Sequence, residues 1–232
     1  MQKNISVIVV LDDEKPEVLE KVIWSYNTQT FRNFEVILVN QNTSNYGLQI
    51  IENLRNDVFF PINLVRINDM KLENANINFA INLATTNYIL VTKANCLART
   101  DFIEQHIKNR AEGLFLVGSS IEIFKESLEN LTKDFIYSSK CFESIWLKRA
   151  GVTSIWKRFK ITYNGLLTSF LDIISKHNSK LPIENVSFWK SDFDKISIFD
   201  DKLIFRLNSI GLISKNIKFR AILLKLTNSN RS

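Results

Sequence analysis

The chain has 232 residues, 45% of them hydrophobic and 23% charged, which suits one substantial folded core and excludes a disordered tail. No uninterrupted apolar run is long enough to cross a bilayer, and Gln2, Lys3 and Asn4 lead into a strand pattern rather than a secretory leader, so a cytoplasmic protein is expected. The formal charge is +6, and residues 140–180 hold all of it, with eight basic side chains against Glu143 and Asp172; one docking surface is expected, not a uniformly basic nucleic-acid binder.

Along the first hundred residues strand and helix patterns alternate. ISVIVVL (5–11) is a continuous apolar run of the kind buried on both faces of a parallel sheet. Pro16 suits the first turn of a helix, with Val18, Val22, Ile23 and Tyr26 at helical spacing. FEVILV (34–39) precedes a helix near 46–55, INLVRI (62–67) a helix near 73–84, and YILVT (88–92) a helix near 100–110. This alternation predicts an α/β doubly wound sheet, mostly parallel and flanked by helices, with ligands at the carboxyl ends of its strands. LFLVGSSIEIF (114–124) reads as one strand, a helix is expected near 201–210, and NIKFRAILL reads as a last strand. No repeat or flexible linker interrupts the chain, so one domain over 1–232 with an inserted arm at 140–180 is expected. Cys96 and Cys141 lack both metal-ligand and disulfide spacing, and His106 and His177 lack metal-ligand spacing and are expected at the surface.

Several stretches resemble a known family. ISVIVV, then KPEVLEKVIWSYNTQTFRNFEVILVN, then NANINFAINLATTNYILVTKANCLARTDFIEQH and NVSFWKSDFDKISIFDD are similar, in order, to family 2 glycosyltransferases of bacterial surface polysaccharide and lipopolysaccharide synthesis. The resemblance implies the GT-A fold, a nucleotide-sugar donor, and a glycan or lipid-linked acceptor. It also implies site positions. The family's first-strand Tyr-Asn aligns with Asp13 and Glu14, its Asp-Asp-Gly-Ser with Asn40, Gln41, Asn42 and Thr43, and its Arg-Asn with Ile77 and Asn78. Its metal-holding Asp-Ala-Asp aligns with Lys93, Ala94 and Asn95, its catalytic base with Asp200 or Asp201, and Asn185 and Trp189 fall where the family lines the acceptor side.

The chemistry of these replacements sets the expectation. Transfer from a nucleotide diphospho-sugar builds negative charge on the departing diphosphate, which the family meets with a carboxylate-held divalent cation. An ammonium repels such a cation and an amide offers only a neutral carbonyl, so no metal is expected beside Lys93. Two readings follow: Lys93 takes over the metal's role, with Asp200 or Asp201 as base, or the site has decayed and the chain is a pseudoenzyme that partners an active transferase or assembles with itself. A nucleic-acid-binding module is a third reading that rests on the basic charge alone.

Within the arm, Ile155, Phe159, Leu166, Phe170 and Ile174 fall near helical intervals, Trp156 and Tyr163 border them, and Lys157, Arg158 and Lys160 crowd one end. A basic amphipathic segment of this kind lies on an anionic membrane surface or packs its stripe on the sheet or another subunit.

Overall fold

The computed structural model describes residues 4–11, 15–40, 46–66, 75–163, 165–174, 183–200 and 202–227. Asp13, Asn42, Asp201 and His177 lie outside them, as does the side chain of Asn40.

The elements, in order, are β1 (Ile5–Leu11), α1 (Pro16–Asn27), β2 (Phe34–Asn40), α2 (Tyr46–Asp57), β3 (Ile62–Arg66), α3 (Ala75–Leu83), β4 (Tyr88–Lys93), β5 (Cys96–Ala98) and α4 (Phe102–Asn109). They continue with β6 (Leu114–Val117), β7 (Ser119–Phe124), α5 (Lys133–Tyr137), α6 (Ser144–Arg149), α7 (Ile155–Thr162), α8 (Leu166–Ile174), β8 (Val186–Trp189), α9 (Lys190–Ile196), α10 (Leu203–Ser209), β9 (Ile213–Asn216) and β10 (Ile222–Thr227). Short 3-10 turns cover 125–130, 140–142 and 183–185.

Seven strands form one sheet in the order β3-β2-β1-β4-β8-β6-β9, in which only β8 runs antiparallel to its neighbours. The apolar runs of the central strands are buried on both faces, as the sequence pattern predicts. Ile5, Val7 and Val9 pack with α1, α2 and α4, whereas Ile8 and Val10 pack with α3, α9 and α10. A second sheet, β5-β10-β7, extends the first of these two cores.

Two strand expectations divide in the structure. The 114–124 run breaks at Gly118, sending β6 into the large sheet and β7 into the small one. A Cβ on Gly118 would stand 2.3 Å from the side-chain oxygen of Asn185, so the close approach admits no side chain. NIKFRAILL likewise divides between β9 and β10 around the turn at 217–221. The arm forms three short helices, α6, α7 and α8, rather than one amphipathic stretch.

One register row crosses the large sheet through Ile8, Val91, Val186, Val117 and Asn216. Leu11, Asn40, Lys93 and the 217–221 turn therefore share the carboxyl edge. Because β8 is reversed, Trp189 pairs with Tyr88 at the opposite edge.

Candidate active site

Lys93 closes β4 directly beside Val10 of β1, and the chain then turns with the amide of Ala94 donating to the carbonyl of Val10 at 2.8 Å. Ala94 is fully buried. Asn95 accepts the Cys96 thiol at 3.3 Å, donates weakly to the carbonyl of Leu226 at 3.4 Å, and its own carbonyl accepts from the amide of Leu226 at 2.9 Å. The segment after β4 thus offers an ammonium, a buried methyl and an amide already engaged with β10, a donor set that does not fit a divalent cation. Among the described residues no cluster of three or more His, Cys, Asp or Glu is placed to hold one.

Asn78, on α3, spends its side-chain oxygen on the backbone amide of Phe199 at 2.7 Å. It anchors the loop between α9 and α10 that carries Asp200. The carboxylate of Asp200 is gripped by Arg206 at 2.8 and 3.2 Å and by the amide of Lys202 at 2.9 Å. The Arg206 contact, the larger influence, holds its pKa below the usual carboxylate value, which makes Asp200 a weak proton acceptor.

The two residues aligned with the acceptor side part company. Trp189 stacks edge-on to Tyr88 at 4.9 Å beneath the guanidinium of Arg110, and its indole N–H donates to the carbonyl of Ala111 at 3.1 Å. It lines a cleft at the opposite edge with Lys190, Asp192 and Lys195, so it does not share a cleft with Lys93. The direction of β8 causes this. Asn185 does lie towards the carboxyl edge, but fully buried, where its amide nitrogen donates to Ser119 O at 3.0 Å and Ala221 O at 3.1 Å. It ties β7 to the turn before β10.

These bonds orient a buried polar chain. With both amide hydrogens spent, the Asn185 oxygen must accept, so His106 Nε2 carries the proton of their 3.0 Å contact. His106 Nδ1 then accepts from the Ser187 hydroxyl at 2.7 Å, and the Ser187 oxygen accepts from Tyr88 at 2.9 Å. The surface expectation for His106 is therefore overturned: the ring is fully buried because its partners arrive from β8. Burial lowers its pKa to about 3, against a smaller opposing effect of the Asn185 bond. The unfolded chain takes up this proton near pH 6.5 and the folded chain near 3, so stability falls as pH drops through that window. His106→Gln should flatten the fall, measured as urea midpoint against pH.

The sequence reading missed Arg99. Its guanidinium forks onto Asp101 at 2.6 and 3.0 Å and donates to Ile161 O at 3.0 Å and Arg220 O at 2.6 Å, binding α7 and the 217–221 turn to β5. Gln29 supports it, donating to Arg99 O at 2.8 Å and accepting from the amide of Ile103 at 3.0 Å. Beside Arg99 lies a cleft of about 380 Å³, lined by the polar side chains of Asp101, Ser139, Glu143, Ser144 and Thr162 and by the apolar ones of Phe142 and Ile161. Nothing in the order of these residues announces the cleft, since the arm supplies half of it.

The sequence profile of glycosyl transferase family 2 matches residues 6–165, more than half of the chain. The chain belongs to glycosyl transferase family 2. Among solved structures it is similar to the mannosyltransferase PcManGT from Pyrobaculum calidifontis, solved in complex with GDP-Man and Mn2+, with a TM-score of 0.64 and 10% identity. It is also similar to S. aureus TarS, with a TM-score of 0.56 and 12% identity. These likenesses establish the GT-A fold. All of this chain is covered in the first comparison and 97% in the second, but it spans only 59% and 37% of those proteins. No curated protein matches the sequence.

Proposed function

We propose that this glycosyl transferase family 2 chain moves a sugar from a nucleotide-sugar donor to a glycan or lipid-linked acceptor of bacterial surface polysaccharide synthesis, without a metal at the end of β4. The observation that carries this reading is the position of Lys93, at the carboxyl edge and beside β1, in a segment whose other groups are a methyl and an engaged amide. In the reaction the acceptor oxygen bonds to the anomeric carbon as that carbon's bond to the diphosphate breaks. The electron pair leaves with the diphosphate, and the Lys93 ammonium neutralises it.

The acceptor's proton needs a base. Asp200 is committed to Arg206, so of the two aligned aspartates Asp201 is the better assignment. The cleft beside Arg99, rather than the Trp189 edge, suits the hydroxyls of an acceptor.

The test is release of nucleoside diphosphate from a panel of UDP- and GDP-sugars in EDTA, offered with membrane-extracted glycolipid as acceptor. Turnover lost in Asp201→Asn and kept in Asp200→Asn supports the assignment; the reverse pattern overturns it. A second reading, a non-catalytic relative that binds donor or a partner transferase, draws support from the engagement of Asn78 and Asp200. It predicts nucleotide binding without turnover.

A further inference from the structure

The helix α8 is turned inside out. Its buried positions among the described side chains are Thr168, 3% exposed, and Asp172, 2% exposed, while Phe170 is 58% and Ile173 81% exposed, with Leu167 and Ile174 open beside them. The reason is polar. Asp172 accepts the backbone amide of Phe219 at 2.7 Å and pairs with Arg220 at 2.6 Å, and Arg220 also donates to Asn109 at 2.7 Å. That network fixes the rotation of the helix and forces its apolar stripe outward. Neighbouring α7 continues the surface with Ile155, 77% exposed, and with Trp156, Phe159 and Tyr163 stacked in succession at 5.6 and 5.0 Å.

Cations border this surface. Lys160 lies 5.0 Å from the Phe219 ring, which Trp156 also meets at 6.0 Å. Lys215 and Lys218 are near enough to feel the charge of Asp172, as Lys160 is, and Lys157 is exposed on α7. One carboxylate therefore sits among several ammonium groups beside an uncovered apolar stripe. An amphipathic surface with large apolar groups, aromatic rings at its border and excess positive charge matches the interface of an anionic bilayer. A second copy of the same face would set lysines against lysines.

We propose that α7 and α8 seat this protein on an anionic lipid surface, with Ile155, Phe170 and Ile173 in the acyl boundary and Lys157, Lys160 and Lys218 at the headgroups. Among the described residues no helix is long and apolar enough to cross a membrane, so the contact is interfacial. The anchoring turn at 217–221 is level with Lys93 across the sheet, so seating brings the carboxyl edge towards the membrane. The proposal stands whether or not the chain is catalytic.

The test is flotation of the full chain with vesicles of phosphatidylglycerol and phosphatidylcholine, against phosphatidylcholine alone. Wild type should float with the anionic vesicles at low salt, less so at high salt. Phe170→Ser with Ile173→Ser should cut the partition by about tenfold or more with an unchanged Tm. Lys157→Glu with Lys160→Glu should abolish the preference for anionic vesicles. Failure of wild type to float at low salt overturns the proposal, as does equal flotation of the serine variant. Self-association in sedimentation that the serine variant abolishes, without flotation, would instead assign the face to a second copy.

Discussion

Lys93→Ala should weaken binding of UDP or GDP, whichever the wild type prefers, by roughly ten- to a hundredfold, because a charge-assisted bond to phosphate contributes about 1.5–3 kcal/mol. The reason is positional. Lys93 is the last residue of β4 and Val10 its partner on β1, so its side chain leaves the sheet at the edge where doubly wound sheets hold their ligands. Lys93→Arg should keep most of the affinity, since the charge stays, though the planar fork differs from a compact ammonium. Lys93→Asp should bind worst in EDTA, and added Mn2+ should restore part of the loss by rebuilding one carboxylate ligand. The measurement is thermal shift and calorimetric titration of each variant. Unchanged nucleotide affinity in Lys93→Ala would remove Lys93 from the site.

Asn185→Ala should be the most damaging single truncation in the fold, lowering stability by about 3–5 kcal/mol and Tm by about 10 °C or more. It removes three buried hydrogen bonds at once. The Ala221 carbonyl keeps the amide of Ser119 at 3.0 Å, but the His106 N–H loses its acceptor in a fully buried site. Gly118→Ala drives a methyl into the same side chain, whose nearest atoms would stand 2.3 to 2.5 Å away, at a cost of about 1–3 kcal/mol. The two changes should not add. In the double variant the new methyl occupies space the amide has vacated, so the combined loss should be smaller than the sum, read from urea denaturation. Strict additivity would mean that the contact does not set either cost.

The first half of the fold is legible because each signal there is local. The apolar runs at 5–11, 34–39 and 88–92 become β1, β2 and β4, since a strand buried on both faces needs an unbroken run and nothing from elsewhere. Pro16 likewise opens α1. The second half depends on partners distant in the chain. The break at Gly118 is imposed by Asn185, and the rotation of α8 by a pair between Asp172 and Arg220. His106 looks like a surface residue until β8 brings Ser187 and Asn185 to it.

The candidate site divides in the same way. Lys93 and Asp200 are aligned by stretches that resemble the family, and Lys93 closes β4 at the carboxyl edge. Asn78 instead spends its side-chain oxygen on the amide of Phe199. Trp189 goes to the far edge because strand direction leaves no mark on a four-residue strand such as VSFW. The cleft beside Arg99 is built from three separate segments, so no one segment carries its pattern.

The central claim is that a fixed ammonium, rather than a carboxylate-held cation, meets the donor's diphosphate. Calorimetric titration of the wild-type chain with UDP and with GDP, once in EDTA and once in excess Mn2+, tests it most directly. The account predicts that the preferred nucleotide binds in EDTA and that Mn2+ leaves its affinity unchanged. Binding that appears only when Mn2+ is present would contradict it.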